Sequence, residues 1–413
     1  MKYDISFIGL GKLGLPLATN FAKKGKKVLA IDLNEDLLVK LKESKAPWIE
    51  TSLQENIEQA SENITYTNSY ADIVESKLSI ILVNTPSKEK DGSFSNEYII
   101  SSLKSICHEL SVAGKESHDF VLSSTVMPGS IYSEFIPLIE EMTGWTLGKQ
   151  FNFSYIPDFV AIGSVIENFH KPDFVLIGSN TRDIAHKMFM MYACMLDLAP
   201  PTSYVNLPEA ELAKVALNAY ITTKISFANY LGLLAEKISP DINVDNVTQA
   251  IGQDKRIGTK YFKAGAPYGG TCFPRDTWAF LKVSNKVGMF AEQMAANEKI
   301  NNELLENITF KIGNSNKVGL IGLGFKPGTA VITEGLAEKL LTLNKLTGKE
   351  VYVYDTYYDS VSALSKGSKI TSVTNLDELY KHVDTVVLCN GDPIYSLENI
   401  PSNIKIVDPW RVN

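Results

Sequence analysis

The chain has 413 residues, 45% hydrophobic and 21% charged, a composition that argues against disorder and is long enough for two or three domains with their own cores. Its net charge is -7, and no run of lysine or arginine interleaves with aromatics, which argues against nucleic acid or an anionic membrane surface as a partner. The four cysteines, Cys107, Cys194, Cys272 and Cys389, are far apart and form no CxxC pair, so neither a metal site nor a disulfide framework is expected and a reducing, cytoplasmic compartment fits best.

Asp4 and Lys12 interrupt the apolar N-terminus, so it does not read as a secretory signal, and no later apolar run reaches the roughly 18 residues of a membrane span. Residues 3–8 read as a buried strand. Gly9-Leu-Gly-Lys-Leu-Gly14 follows it, then a helical stretch to Lys24 and a second apolar run, Val28-Leu-Ala-Ile31, ending at Asp32. Strand, GxGxxG, helix, strand and terminal acid make the dinucleotide-binding βαβ unit. Gly9, Gly11, Lys12, Leu13 and Gly14 are expected at the pyrophosphate, on the helix N-terminus, and Asp32 at the ribose hydroxyls. Because Asp32 repels a 2′-phosphate and no arginine follows closely, the cofactor is expected to be NAD rather than NADP. Further strands are expected at 78–83, ending in Asn84-Thr85-Pro86, and at 120–124, ending in Thr125-Val-Met-Pro-Gly129. The carboxyl ends of such strands face the ligand, which places Thr85, Pro86 and Thr125 beside the cofactor. A strand pair at 153–156 and 174–177 completes a first domain near Pro200-Pro201.

From Glu209 to about Asn307 the pattern becomes that of amphipathic helices. Lys214 and Asn218 are four residues apart on the first of these, so they share a face and suit two groups acting on one ligand, or else a solvated helix face. Cys272 lies in Tyr268-Gly-Gly-Thr-Cys-Phe-Pro-Arg-Asp276. Two glycines admit another molecule to the backbone, Pro274 marks a helix start whose amides favour a thiolate, and Asp276 follows one turn on. The alternative is a small buried structural thiol. Lys317-Val-Gly-Leu-Ile-Gly-Leu-Gly-Phe-Lys-Pro-Gly-Thr329, a helix from about Glu334, and Val351-Tyr-Val-Tyr-Asp355 repeat the pattern of the first unit. Strands at 385–389 and 405–407 complete a second α/β domain, expected to hold a nucleotide other than NAD. The fold class is therefore α/β, with two Rossmann-like doubly wound domains joined by a helical middle domain. The expected boundaries are 1–200 for NAD binding, 201–305 for the helical middle and 306–413 for the second α/β domain, with a cleft between the lobes.

Taken together, these segments resemble the UDP-glucose/GDP-mannose dehydrogenase family, NAD-dependent enzymes that oxidise the C6 alcohol of a nucleotide sugar to a carboxylate. The resemblance covers nearly the whole chain. It rests on Gly9–Ala18, Ser124–Gly129, Pro157–Gly163 running into Lys171–Gly178, Ala210–Asn218, Arg256–Phe262, Gly269–Phe273 and Gly322–Thr329. It implies that Cys272 captures the aldehyde intermediate as a thiohemiacetal, which is oxidised to a thioester. Lys214 and Asn218 would stabilise the oxyanion. Asp276 and Thr125 would position water and manage protons, and Asp158 takes the place of a glutamate acting as general acid or base. Phe159, Lys214, Asn218, Tyr261 and Gly269 are implied on the substrate side, Phe325 and Lys326 on its nucleotide side. Arg256 is implied to reach a substrate across a homodimer contact. No metal is implied, and UDP-glucose is the default substrate, with other UDP- or GDP-hexoses open.

Several positions depart from the family pattern. Asp158 is one methylene short, Ile162 replaces a second acid, Ile156 stands where an asparagine is usual, and Arg275 replaces a lysine. Thr329-Ala-Val-Ile-Thr333-Glu-Gly335 has lost two acids and an arginine, and Trp410 lies where an arginine is often found. Slow thioester hydrolysis is expected from Asp158 and Ile162. A β-hydroxyacid dehydrogenase would share the first domain, the helical domain and the Lys-x-x-x-Asn helix, but has no use for Cys272 or the second α/β lobe. A nucleotide-sugar-binding protein without turnover is the alternative from a different class.

Overall fold

The computed structural model describes residues 1–87, 92–160, 163–357, 369–395 and 400–412. It divides into two compact units, Met1–Val215 and Ala216–Asn413.

The first unit is built on an eight-stranded sheet of order β3-β2-β1-β4-β5-β6-β7-β8. Its strands are β1 Ile5–Ile8, β2 Val28–Ile31, β3 Ile64–Thr67, β4 Leu78–Ile81, β5 Asp119–Leu122, β6 Phe153–Tyr155, β7 Val175–Ser179 and β8 Thr202–Val205. Every pairing is parallel except β6 with β7. Strands β1, β2 and β4 are buried at every position, the continuous apolar run of a parallel sheet covered on both faces. Apolar cores lie on both sides, one around Phe7, Leu17 and Phe21 and the other around Ile8, Ile106 and Phe120. Strand β8 pairs with β7, so this sheet extends past Pro200-Pro201 to Val205.

The second unit carries the sheet β11-β10-β9-β12-β13, with β9 Lys317–Ile321, β10 Glu350–Tyr354, β11 Lys369–Ser372, β12 Thr385–Leu388 and β13 Lys405–Val407. All its pairings are parallel. Its strand order copies the 3-2-1-4-5 order of the first sheet, which is the structural form of the sequence pseudo-repeat. The likeness extends to hydrogen bonds. Asp32, after β2, accepts from the amides of Leu10 at 2.7 Å and Asn34 at 2.8 Å. Asp355, after β10, accepts from Leu323 at 2.5 Å and Tyr357 at 2.6 Å. In both units the acid closes the glycine turn of the neighbouring strand.

Between the sheets in chain order run helices Leu207–Ile238, Val244–Gly252, Phe273–Lys286 and Glu292–Ile312. The first is two residues longer at its start than the apolar spacing from Glu209 indicates, and the boundary between the two units falls within it. The helix expected from about Glu334 begins at Leu336, because Glu334 adopts a left-handed backbone with φ 56°, which a helix cannot include. No helix among the described residues is long and apolar enough to cross a membrane.

Candidate active site

The cofactor end of the first unit is shaped by its three glycines, each for a different reason. Gly9 has φ 92°, and a Cβ there would lie 2.6 Å from the carbonyl oxygen of Leu82. At Gly14 a Cβ would lie 2.0 Å from the Gly9 carbonyl oxygen, so only glycine lets the helix Gly14–Lys23 start this close to β1. A Cβ at Gly11 would meet nothing within 4 Å. That open cradle, in front of first-turn amides that carry the positive end of the helix dipole, fits a pyrophosphate. Lys12 is exposed, and Leu13 occupies the N-cap without a side-chain cap of its own.

The loops after β4 and β5 are bolted together at the same edge of the sheet. Thr85 Oγ1 donates to the Thr125 carbonyl at 2.7 Å, and Ser124 Oγ donates to the Val83 carbonyl at 2.7 Å. Thr85 is buried, Pro86 exposed and Thr125 half-buried. This crosslink fixes the Thr125 backbone where the sequence pattern put a ligand-facing loop.

Asp158 and Lys214 meet in the same unit, but not as two side chains. Lys214 Nζ donates to the main-chain carbonyl of Asp158 at 2.5 Å and lies 4.6 Å from the ring centre of Phe159. The Asp158 carboxyl is turned inward, and its Oδ2 is enclosed without a hydrogen-bond partner among the described residues. Burial pushes this carboxyl up to about 7, with the Lys214 charge opposing. At neutral pH it therefore holds a proton part of the time, the condition a general acid or base requires. Ile162 lies outside the described residues. The second acid that the sequence did not single out is Glu211, fully buried on the Lys214 helix and accepting the amides of Gly129 and Ile131.

In the second unit, Cys272 is exposed at the N-cap of helix Phe273–Lys286, with Pro274 inside the first turn. Cys107 and Cys389 are buried, and burial raises both thiols, that of Cys107 to about 12. Cys272 is thus the thiol that combines exposure with a helix start. One turn on, the Asp276 carboxylate is only 1% exposed and is gripped from two sides. Asn218 Nδ2 donates to Oδ2 at 2.6 Å, and Arg275 Nε donates to Oδ1 at 3.2 Å. Thr222 and Thr277 share a hydroxyl bond of 3.0 Å beneath them. Asp276 and Asn218 are therefore brought together. Lys214 lies one helical turn before Asn218 on Leu207–Ile238.

The loop before Cys272 packs against the loop after β9. A Cβ on Gly269 would lie 2.0 Å from the Glu334 carbonyl oxygen, and one on Gly270, whose φ is 85°, would lie 2.6 Å from the Phe325 ring. The Gly270 amide donates to the Thr333 carbonyl at 2.9 Å, and Lys339 Nζ donates to the Tyr268 carbonyl at 3.1 Å. Phe325 is thereby placed beside the Cys272 loop, with Lys326 Nζ 5.9 Å from its ring centre. Tyr261 is exposed with φ 60°, its ring edge-on to Phe273 at 5.9 Å. Arg256 points to solvent and is engaged by Asp254 at 2.6 Å. Trp410 takes up the space that side chains at Gly265 and Gly391 would fill, a packing role that an arginine could not fill in the same way. Among the described residues no group of three or more His, Cys, Asp or Glu side chains could hold a metal ion.

Residues 3–196 match the family model for the NAD binding domain of the UDP-glucose/GDP-mannose dehydrogenase family, and residues 208–303 match the model for its central domain. A UDP-glucose 6-dehydrogenase of Haloferax volcanii is 30% identical over 360 residues, which cover 85% of this chain and 83% of the relative. A GDP-mannose 6-dehydrogenase of Pseudomonas aeruginosa is 28% identical over 428 residues, covering 98% and 95%. Among solved structures, a UDP-glucose dehydrogenase from the hyperthermophilic archaeon Pyrobaculum islandicum has a TM-score of 0.90 at 29% identity, covering 100% of this chain and 95% of that one.

Proposed function

The chain belongs to the UDP-glucose/GDP-mannose dehydrogenase family, and from that premise we propose that it oxidises the C6 alcohol of a nucleotide hexose to the carboxylate through a covalent intermediate on Cys272. It is an NAD-dependent dehydrogenase. The observation that carries the covalent route is the exposed Cys272 thiol at a helix start, one turn from a buried carboxylate that Asn218 and Arg275 hold in place.

Bound NAD supplies the hydride acceptor for each of two oxidation steps. The residues of the chain do the rest. In the first step C6 loses a hydride and its hydroxyl a proton, leaving an aldehyde. The Cys272 thiolate then adds to the aldehyde carbon, and the resulting alkoxide takes a proton to become the thiohemiacetal hydroxyl. Lys214 and Asn218, fixed donors, stabilise the alkoxide. Loss of a second hydride from carbon and the proton from oxygen gives the thioester. Water, deprotonated by Asp276 with Thr125 and Asp158 managing protons, attacks the thioester carbon, and the carbon–sulfur bond breaks to return the thiolate. Phe159, Tyr261 and Gly269 lie on the sugar side, Phe325 and Lys326 on the nucleotide side.

The relatives named above act on UDP-glucose and GDP-mannose, and a UDP-hexose, UDP-glucose first, is the proposed substrate. The proposed segments remain NAD binding in 1–200, a helical dimerising middle in 201–305 and nucleotide-sugar binding in 306–413. Arg256 is the group a homodimer partner would receive. A cytoplasmic placement is part of the proposal, supported by four cysteines that are far apart in the sequence and form no CxxC pair. Incubation with NAD and a panel of UDP- and GDP-hexoses, followed by NADH absorbance, tests the reading. NADH from at least one of them is expected, and binding without NADH from any of them supports the alternative of a nucleotide-sugar-binding protein.

Asp32→Ala removes the hydrogen bond from Leu10 that closes the glycine turn, the local one from Asn34, and the ribose acceptor. The KM for NAD should rise about 10- to 100-fold, equivalent to one or two charge-assisted hydrogen bonds. Discrimination against NADP should shrink, because the charge that repels the 2′-phosphate is gone. Steady-state kinetics with both cofactors checks this, and unchanged constants for both would place the ribose elsewhere.

A further inference from the structure

Glu211 is 0% exposed, yet among the described residues no basic side chain forms an ion pair with it. Its Oε2 accepts the Gly129 amide at 2.9 Å and its Oε1 accepts the Ile131 amide at 2.9 Å. Gly129 closes the turn that begins at Thr125, with φ 94°, and Ile131 opens the π-helical turn Ile131–Phe135. At the other end of that turn the Thr125 carbonyl is held by Thr85. Glu211 itself lies three residues before Lys214, so the two occupy neighbouring turns of one helix. The carboxylate therefore ties the loop bearing Thr125 to the helix bearing Lys214. A bond to one amide would need only a neutral acceptor, and a buried charge costs more than a glutamine would. Two donors, one on each oxygen, call for an acceptor on both sides, which the ionised carboxylate provides and an amide does not.

We propose that Glu211 is a positioning residue of the oxidation, whose ionised carboxylate locks the Thr125 turn onto the Lys214 helix and whose protonation loosens that lock. The proposal rests on the roles given above to Thr125 and Lys214. Burial pushes this carboxyl up to about 7; the charge of Glu134 adds to the rise, and the amides of Ile131, Gly129 and Ser130 oppose it. Glu134, itself held by Asn96 Nδ2 at 3.0 Å, is the charged group facing Glu211. Above about 7 both oxygens accept and the turn is held; below it one oxygen carries a proton and one amide loses its full acceptor.

The test begins without substrate. In cofactor-free protein labelled with nitrogen-15 at glycine and isoleucine, the amide signals of Gly129 and Ile131 should titrate together with a midpoint at about 7. In Glu211→Gln both should be flat over the same range. In turnover, Glu211→Gln should lower kcat about 10- to 100-fold, as misplacements of about an ångström do, while the KM for the nucleotide sugar stays within a factor of about 3 and the acid limb of the kcat profile flattens. Amides of Gly129 and Ile131 that do not titrate together in the wild type, or a Glu211→Gln enzyme with wild-type kcat and pH profile, would overturn the proposal. The amide titration needs no turnover, so a wild-type protein that titrates as stated but makes no NADH from any nucleotide hexose would count against the proposed activity and leave the lock standing.

Discussion

Cys272→Ser should lower complete oxidation by more than about 10³-fold, the scale of lost nucleophiles, while NAD and nucleotide-sugar binding persist. The substitution leaves the local backbone its reasons to form. The helix Phe273–Lys286 still starts on Pro274, and Asp276 still donates its amide to the carbonyl of residue 272 at 2.8 Å. What is lost is the thiolate. A hydroxyl at this position is far less acidic and attacks the aldehyde carbon poorly, so no thioester forms and the second hydride has no route out. Calorimetric binding of both ligands, together with NADH yield per enzyme, separates lost chemistry from a lost fold. Full activity in the serine variant would remove the covalent route.

Asp276→Asn should produce the next largest loss, about 10²- to 10⁴-fold in the release step, as expected when a proton-transfer group is removed. The carboxylate accepts from Asn218 at 2.6 Å and Arg275 at 3.2 Å. An asparagine offers one acceptor where two donors converge, so its amide nitrogen faces either Asn218 or Arg275, donor to donor. Asn218 loses its anchor and the attacking water loses its base. The expected record is a rapid burst of NADH followed by a slow steady state, with the uronyl mass on the Cys272 peptide of quenched enzyme. A burst slowed as much as the steady state would assign Asp276 to the oxidation steps instead.

The central strands could be read from the chain because a parallel sheet buries both faces and leaves continuous apolar runs. The runs at β1, β2 and β4 are of this kind, and so was the repeat that led to Asp355. The strands that could not be read are β3, β8 and β11. Each lies at an edge of its sheet, pairs on one side only, and is largely half-buried or exposed, with sequences such as Lys-Ile-Thr-Ser in β11. An edge strand needs no apolar run, so its sequence resembles a loop. The site divides in the same way. Cys272, the glycine turn and Asp32 carry local signals, because their chemistry depends on a few adjacent residues. The grip of Asn218 on Asp276 joins residues 58 apart, and that of Glu211 on Gly129 joins residues 82 apart. From spacing alone Glu211 reads as an acid near the start of a helix, pairing with Lys214 on a solvated face. Its burial is decided by a turn from another strand, which helical periodicity does not encode.

The most direct measurement is the amount of NADH formed per nucleotide hexose consumed, with sugar limiting, NAD in excess and the reaction run to completion. Oxidation of the C6 alcohol through an aldehyde and a Cys272 thioester predicts two NADH for each sugar, with the uronate as product. One NADH per sugar, with free aldehyde accumulating, would contradict it.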